Sequence, residues 1–439
     1  MEPGSKSEAP VPRAIWREAL AFGRTSDMLH RHGGNSRRAK SMSTEKLTLI
    51  RPDRREHRAA IHDFTGKAFG YPYWAWLTRS RESYFDQSHY DWSASTIGLL
   101  GGRIVTHWGV WGFDMRVGTA TLRVAGIGAV CTHGGMRRRG LMARTIAAAC
   151  EAMRDAGYDA SLLFGIGGFY HRFGYVRAWP DCTYVVRTER LPTGRPAGKV
   201  RKIAPRHRPE LARLYNRCHA GRTGTAVRPT YLRRGKEWEG RLWTDGAGHP
   251  AGYLFFGAHH GSFHLGDHAG EAGQVLRVLG RVARRRGEKE IRLSSLHHDS
   301  ELARRLRRGD CRVELGYHES GSAMIRTLNL RAALAKLAPE LSRRLRLSHL
   351  ADWSGRLAMA DSREKAALEI TGGKVRAAAP GRTKHAIRGG DAIAQLLIGT
   401  DEPAETIASH ALRLSGDAKE LVGVLFPNQH PMLGAWDHF

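Results

Sequence analysis

One stretch of the chain repeats apolar residues with the 3.6-residue period of an α-helix. These residues are Met142, Ile146, Ala149, Cys150 and Met153. Polar residues occupy the other side, so the pattern predicts an amphipathic helix. Apolar, strand-like runs precede and follow it, at residues 119–130 and 160–164. A strand, a helix and a strand in this order predict a parallel crossover, with both strands in one sheet.

Strands and helices are also predicted along most of the remaining chain. Strands at 95–100 and 103–110 are separated by two glycines, which is typical of a hairpin turn. A second group, with one helix among its strands, is predicted at 251–256, 261–265, 275–284 and 290–293. A third group begins near Leu330 with two short helices, 333–337 and 341–347, followed by short strands. This alternation predicts a mixed α/β or α+β fold.

The first two groups begin alike, because Ile203-Ala-Pro205 repeats Ile50-Arg-Pro52 about one domain length later. We therefore expect a duplicated unit. At roughly 150 residues per domain, a chain of 439 residues suggests three domains. The predicted division is a basic arm at 1–42, a first unit at 43–190, a second unit at 198–329 and a C-terminal unit at 330–439.

The chain is strongly basic, with 70 lysines and arginines against 42 acidic residues and a formal net charge of +28. This excess favours anionic partners such as nucleotide phosphates, nucleic acid or an anionic membrane surface. The arginines are spread along the chain, which makes the charge weak support for nucleic-acid binding. No window holds ~18 consecutive apolar residues, so we expect no membrane span. The five cysteines form no CxxC pair and residues 1–42 contain no apolar signal core, so we expect a cytoplasmic protein without structural zinc.

Residues 130–142 join the predicted strand to the amphipathic helix. The first turn of a helix exposes unpaired N–H groups and the positive end of its dipole, which together bind phosphate. Gly134, Gly135 and Gly140 allow the backbone to approach a ligand, and the run Arg137 to Arg139 adds positive charge. The alternative is an arginine run on a solvated helix face. The strand, loop and helix context favours a phosphate-binding loop.

A second motif follows the next strand, at residues 165–175. It contains Phe169-Tyr170 and then Gly174-Tyr175. A tyrosine hydroxyl, with a pKa of about 10, is a neutral donor at neutral pH. Both tyrosines could instead be core residues, which is the interpretation that we favour for Tyr175.

Together the two motifs resemble the acyl-CoA site of the GNAT acetyltransferase superfamily. Arg137 and Gly140 match its pattern of Arg or Gln, two residues, Gly, one residue, then Gly or Ala. Met142 departs from the last position of that pattern. In the superfamily a tyrosine at the position of Tyr170 often protonates the departing CoA thiolate. The resemblance therefore implies that Tyr170 is the catalytic acid.

The chain after residue 42 is similar to acetyltransferases of the enhanced-intracellular-survival type. That type joins two GNAT domains to a C-terminal domain of sterol-carrier-like fold, and its chains end in phenylalanine, as Phe439 does here. The resemblance implies tandem GNAT folds, each a mixed central sheet flanked by helices, plus a small α+β sterol-carrier-like domain. It also implies that the Phe439 carboxylate reaches the active site as base or orienting anion. His438 stands where the best-known members have an acidic residue, so their polycationic substrates are not implied.

The same resemblance implies acetyl-CoA as cosubstrate and a primary amine as the small-molecule acceptor. Val130 and Thr132 would offer backbone groups to the pantetheine arm. Four residues would hold the pyrophosphate, namely Arg137, Arg138, Gly140 and Leu141. Residues 266–273 of the second unit carry carboxylates where phosphates would lie, so only the first unit is expected to bind CoA. No metal is implied, and the family precedent is a homo-oligomer, a hexamer.

Five residues near a predicted turn also suggest a metal site, namely His259, His260, His264, Asp267 and His268. Alternation along strands would send these side chains to different faces, so we expect no metal there. Two other protein classes remain open. A nucleic-acid-binding protein would explain only the charge, and a lipid carrier would rest only on the C-terminal unit.

Overall fold

The structure is a computed structural model that describes residues 46–69, 90–228, 238–259, 261–409 and 411–439. The predicted arm at residues 1–42 lies outside these ranges. Three β-sheets with helices on their faces make up the described chain, which confirms the predicted mixed fold class. None of the helices in this part of the chain is long and apolar enough to cross a membrane.

The first sheet has seven strands in the order β1-β2-β3-β4-β5-β14-β6. Their bounds are β1 Thr48–Ile50, β2 Thr96–Leu100, β3 Arg103–Val117, β4 Ala120–Thr132, β5 Ala160–Phe164, β6 Val176–Trp179 and β14 Ala323–Thr327. Helices α1 (Arg54–Phe69) and α2 (Leu141–Asp155) are among those that contact this sheet. Strands β4 and β5 pair in parallel on either side of α2 in the chain, so the predicted crossover is confirmed.

The second sheet also has seven strands, in the order β13-β7-β12-β11-β10-β9-β8. Their bounds are β7 Asp181–Arg187, β8 Val200–Lys202, β9 Glu239–Thr244, β10 Pro250–His259, β11 Ser262–Ala269, β12 Glu290–Leu293 and β13 Cys311–Gly316. The helices of this region are α3 (Arg208–Cys218), α4 (Ala272–Arg285) and α5 (Glu301–Arg308).

The two large sheets exchange strands. The chain passes from β6 in the first sheet directly into β7 in the second. It later returns through β14, which lies antiparallel between β5 and β6 of the first sheet. The predicted unit boundaries stay a prediction, but sheet membership crosses them. As a result, both sheets depend on chain segments that are far apart in sequence.

The third sheet has the order β17-β16-β15-β18-β19. Its strands are β15 Gly355–Ala360, β16 Lys365–Thr371, β17 Lys374–Ala378, β18 His385–Arg388 and β19 Arg413–Ser415. Its helices are α6 (Leu330–Arg346), α7 (Ile393–Ile398), α8 (Pro403–Ala408) and α9 (Ala418–Leu425). The prediction of two short helices before this sheet is wrong, because α6 is continuous through Pro339.

Helix α6 joins the first and third sheets. Its buried Leu334 and Leu337 share one apolar core with strands of both. Its buried Glu340 accepts hydrogen bonds from the backbone N–H and the hydroxyl of Thr119, at the turn between β3 and β4, at 3.2 and 2.8 Å. The C-terminal region is therefore packed directly against the first sheet.

Three buried histidines are held in their neutral form besides His219, whose pKa burial lowers well below its usual value. Burial lowers the pKa of His107, His268 and His297 to about 4 in each case. In the unfolded chain a histidine has a pKa of about 6.5. Between these two values the unfolded chain binds more protons than the folded protein does, so folding stability falls as the pH falls from about 6.5 to about 4.

We expect the melting temperature to be clearly lower at pH 5 than at pH 7.5. Each of the three histidines contributes roughly 1 to 2 kcal/mol to this loss, and pH 5 still lies above the usual pKa of carboxyl groups. The measurement is thermal unfolding in matched buffers. His297→Gln removes one of the three titrating groups, so the variant should lose less stability over the same interval. An equal loss in both proteins would show that His297 does not contribute.

Candidate active site

Strand β4 continues past the end of its pairing with β5. The two strands pair from Val124 and Ala160 to Ile127 and Leu163, whereas β4 continues to Thr132. Beyond this point β4 also contains a bulge, in which Ala129 and Val130 together lie opposite the single residue Trp108 of β3. Ala129 has a φ of 50°, which is unusual for a residue other than glycine. The bulge of β4 therefore lies beyond the segment that pairs with β5.

His107 holds the bulge in place. Its Nδ1 lies 2.8 Å from the carbonyl oxygen of Ala129, and its Nε2 lies 2.9 Å from the hydroxyl of Tyr90. A carbonyl oxygen only accepts hydrogen bonds, so Nδ1 carries the proton and Nε2 accepts from Tyr90. Because the peptide plane is trans, fixing the Ala129 carbonyl directs the N–H of Val130 the opposite way. The sequence analysis did not identify His107, since a single histidine in an apolar strand carries no distinctive pattern.

The predicted phosphate-binding loop lies between β4 and α2. Arg138 and Gly140 have positive φ values of 61° and 72°, and helix α2 begins at Leu141. The N-cap residue Gly140 has no side chain that could accept a hydrogen bond from the N–H groups of the first turn. This end of the helix is therefore open to a ligand. A Cβ atom placed on Gly134 or Gly140 would have no other atom within 4 Å. Together with exposed arginine side chains, this arrangement fits a pyrophosphate group.

Tyr170 begins a short 3-10 helix that follows the loop after β5. Its ring packs among Trp108, Phe169 and Tyr175, with centroid distances of 6.2, 4.9 and 6.0 Å. Burial raises the pKa of Tyr170 above its usual value, and Cys131 at the end of β4 adds to this increase. None of the hydrogen bonds among the described residues uses its hydroxyl group. A neutral donor therefore lies near the end of β4.

The C-terminal residue also reaches β4. The Phe439 ring lies 5.8 Å from that of Phe113 and 5.7 Å from that of Phe164. A Cβ atom on Gly126 would overlap this ring, and a Cβ atom on Gly128 would lie 3.5 Å from the Phe439 carboxyl carbon. The terminal carboxyl group is thus next to the strand residue that precedes the bulge. Glycines inside a strand often mark such a close approach, and this was the signal available in the sequence.

Two of the predicted site residues approach β4 from different sides. Tyr170 belongs to the apolar cluster that includes α2, whereas Phe439 belongs to the cluster on the other face of the first sheet. The residues predicted to hold CoA all lie on β4, in the loop after it or at the first residue of α2, namely Val130, Thr132, Arg137, Arg138, Gly140 and Leu141. The structure therefore gathers all of these residues around the end of one strand.

The equivalent helix start in the second sheet is blocked. Glu271 caps α4, and its two carboxylate oxygens accept from the N–H groups of Gly273 and Gln274 at 2.7 and 2.8 Å. Arg305 lies 3.2 Å from the same carboxylate. A phosphate would have to displace this charge from the same N–H groups. This contact gives a physical basis for expecting CoA only in the first unit.

Of the five residues in the histidine-rich segment around β11, His260 lies outside the described residues, and Asp267 and His268 make other contacts. Asp267 pairs with Arg228 at 2.8 Å, and the carbonyl of His268 lies 3.4 Å from His219. Elsewhere in the described chain, His298, Asp299 and His430 bring ligand atoms within 4.8 Å of one another. The guanidinium group of Arg307 bonds to the carbonyl oxygen of His298 at 2.7 Å and puts a positive charge beside that group. The expected absence of a metal stays a prediction.

Comparison with known proteins gives a consistent result. The family model of an acetyltransferase (GNAT) domain matches residues 50–178, which include the loop and Tyr170. A GCN5-related N-acetyltransferase from Anabaena variabilis superposes with a TM-score of 0.69 at 13% identity, covering 88% of this chain and 99% of that one. One from Kribbella flavida gives a TM-score of 0.67 at 16% identity, over 89% and 100% of the two chains.

Eis1 from Mycobacterium abscessus has a TM-score of 0.61 at 16% identity, over 89% of this chain and all of that one. No curated protein sequence matches the chain. Identities this low establish the fold alone. The chain therefore has a GNAT acetyltransferase domain at residues 50–178, and its overall fold is that of GNAT N-acetyltransferases.

Proposed function

We propose that the protein transfers an acetyl group from acetyl-CoA to a primary amine by direct attack. The observation that carries this proposal is the meeting of three features at the end of β4. These are an open helix start with arginines, a buried tyrosine hydroxyl without a partner among the described residues, and a chain terminus whose carboxyl carbon lies against Gly128. A phosphate site, an acid and an anion are the groups that this reaction requires.

Residues of β4 and of the loop after it contact two parts of a bound CoA molecule, its pyrophosphate and its pantetheine arm. Arg137 and Arg138 offer guanidinium groups to the pyrophosphate, while Gly140 and Leu141 offer N–H groups at the helix start. Further along, Val130 and Thr132 offer backbone groups of the parting strand to the pantetheine arm. Acetyl-CoA, when bound, supplies the acetyl group as a thioester.

The Phe439 carboxylate and the Tyr170 hydroxyl transfer protons during the reaction. The acceptor amine arrives as an ammonium ion and loses one proton before its nitrogen attacks, and the Phe439 carboxylate accepts that proton directly or through water. As the carbon–sulfur bond breaks, the Tyr170 hydroxyl donates a hydrogen bond or its proton to the departing sulfur. After attack the nitrogen still carries one excess proton, which passes directly or through water to the Tyr170 oxygen as that hydroxyl protonates the sulfur, and the Phe439 carboxyl group releases its proton to solvent. The amine then carries the acetyl group, CoA leaves as a thiol, and one proton is released for each acetyl group transferred.

We also propose that residues 330–439 form a sterol-carrier-like domain that serves the active site. A five-stranded sheet flanked by helices supports this assignment. Its last residues run back to β4 and place Phe439 against Gly126 and Gly128. This role gives the third unit a part in the transfer reaction rather than in lipid transport.

The test is thiol release from acetyl-CoA in the presence of single amines. The panel contains an alkylamine, a diamine, an arylamine and a lysine peptide, and mass spectrometry identifies the acetylated product. We expect release that depends on both protein and amine, above the rate of hydrolysis without amine. Release at the hydrolysis rate with every amine would contradict the proposed acceptor class.

Replacing both Arg137 and Arg138 with alanine should weaken CoA binding by about tenfold or more, which is about 1.4 kcal/mol or more. The reason is the loss of two charged donors at the phosphate site, and the exposed position of both side chains should leave the fold intact. Calorimetric titration measures the change. The native protein should bind one CoA per chain, because Glu271 occupies the second helix start.

Arg139→Ala is the matched control for this double variant. It removes a charge from the same run, but its guanidinium lies 2.9 Å from the sulfur of Met136 and is not assigned to the pyrophosphate. Its effect on CoA affinity should be smaller. Equal losses of CoA affinity for each arginine replaced would indicate general charge attraction. Two equivalent CoA sites per chain would show that the second helix start is not blocked.

A further inference from the structure

The last eight residues of the chain are held by the second sheet and its connections. The backbone N–H of Met432 bonds to the carbonyl oxygen of Thr223 at 3.2 Å, and that of Ala435 bonds to the hydroxyl of Ser295 at 3.2 Å. The ring of Trp436 is buried and lies 4.6 Å from that of Phe255. The tail is therefore anchored before it reaches the first sheet.

The strongest contact in the tail is a buried ion pair. Arg228 donates to both carboxylate oxygens of Asp437, from Nε at 3.0 Å and from Nη2 at 2.9 Å. The same guanidinium also bonds to Asp267 of β11, at 2.8 and 3.3 Å. The side chains of Arg228, Asp437 and Asp267 are only 1%, 0% and 7% exposed. The guanidinium thus ties the tail to the second sheet by paired hydrogen bonds in a site without solvent.

A second arginine links this cluster to the first sheet. Arg116 of β3 is buried and donates to the side-chain oxygen of Asn216 at 2.8 Å. The same oxygen accepts from the backbone N–H of Arg228 at 2.9 Å. Two arginines therefore accompany two aspartates, so the buried formal charges balance. The cluster connects both sheets and the tail at one point.

The distance from this cluster to the end of the chain is short. Two residues separate Asp437 from the terminus, and two residues span at most about 7 Å. The rings of His438 and Phe164 lie 4.1 Å apart, and the Phe439 ring lies 5.7 Å from that of the same Phe164. Once Asp437 is fixed, the terminal carboxylate can occupy only a small region, and that region includes Gly128.

From these contacts we infer that Arg228 and Asp437 are positioning residues that hold the terminal carboxylate of Phe439 beside the β4 bulge. The inference rests on the proposed function for its catalytic consequence. Its structural part, that this ion pair keeps the tail in place, stands independently. In the sequence, Arg228 was one basic residue among 70, and nothing marked it as a partner of the tail.

The test compares Asp437→Asn with Asp267→Asn. Both changes remove one carboxylate charge from the same guanidinium with almost no change in volume, but only the first lies in the tail. Arg228→Ala is less suitable, because it leaves two buried carboxylates unpaired and threatens the fold. Melting temperatures of the two asparagine variants are measured first, and CoA affinity second, to establish that both are folded.

The first readout is the release of Phe439 by carboxypeptidase, followed by mass. Release should be slow in the native protein, where Phe439 is 7% exposed, and at least about tenfold faster in Asp437→Asn than in Asp267→Asn. This readout needs no enzymatic activity, so it decides the structural part even if no amine is acetylated. Equal release rates in the two variants would overturn the inference.

The second readout is the kinetics of amine acetylation. Asp437→Asn should lower kcat by about tenfold or more while the KM for acetyl-CoA stays unchanged, and Asp267→Asn should have a smaller effect. If the ion pair has a purely structural role, kcat should fall in both variants in proportion to their loss of stability. Faster loss of Phe439 with unchanged kcat would mean that the tail is held by the pair but that the carboxylate is not used. That outcome would contradict the proposed base rather than the anchoring.

Discussion

Removing His438 and Phe439 is expected to lower amine acetylation by at least about a hundredfold, the lower end of what one acid–base group usually contributes. An ammonium ion must lose a proton before its nitrogen can attack. The terminal carboxylate, whose ordinary pKa is about 3.5, is ionised at neutral pH and attracts the ammonium ion. A C-terminal extension should have the same effect, because it converts the carboxylate into an amide.

The measurement is kcat for the native chain, the two-residue deletion and a chain with a short C-terminal extension confirmed by mass. CoA affinity should stay within about twofold in all three, because the loop after β4 is untouched. Phe439→Leu is the matched control, since it alters the ring and keeps the terminal carboxylate. It should retain much more activity than the deletion. An extended chain as active as the native one would show that the carboxylate has no catalytic role.

The features of this region whose place in the fold the sequence predicts are local. The loop between β4 and α2 depends on glycines and arginines within a few residues of a strand and a helix, and both elements have clear periodicity. Met142 departs from the superfamily pattern, yet it lies in the first turn of α2 with its side chain buried. Its position inside the helix explains why the departure does not disturb the helix start.

The parts that the sequence does not predict depend on distant residues. Asp437 pairs with Arg228 across more than two hundred positions, and the exchange of β7 and β14 joins segments that composition assigns to different units. The periodicity of hydrophobic residues is a local pattern. It carries no information about these contacts, because they form between residues that come together only in the folded protein. Pro339 is the opposite case. Its local preference for ending a helix is outweighed by the burial of Leu334, Leu337 and Leu341 along one face of α6.

Tyr170→Phe is expected to lower turnover by roughly a hundred- to ten-thousand-fold with little change in CoA affinity. The substitution removes one oxygen atom and keeps the ring that packs against Trp108 and Phe169. Since burial raises the pKa of Tyr170, the hydroxyl stays protonated throughout the neutral and moderately alkaline range and remains available as a donor. The departing thiolate would otherwise develop its charge in an apolar pocket, where an unpaired charge is costly.

Tyr175→Phe provides the matched control for this prediction. Tyr175 is also buried, and its ring lies 6.0 Å from that of Tyr170, but its hydroxyl is hydrogen-bonded to Ser161 at 2.7 Å. Losing that bond should reduce stability by about 1 kcal/mol and leave kcat close to native. The measurement is kcat at saturating amine, together with the melting temperature of each variant. If Tyr170→Phe turns over as fast as Tyr175→Phe, water or another group protonates the sulfur, and the Tyr170 hydroxyl has no role in the transfer.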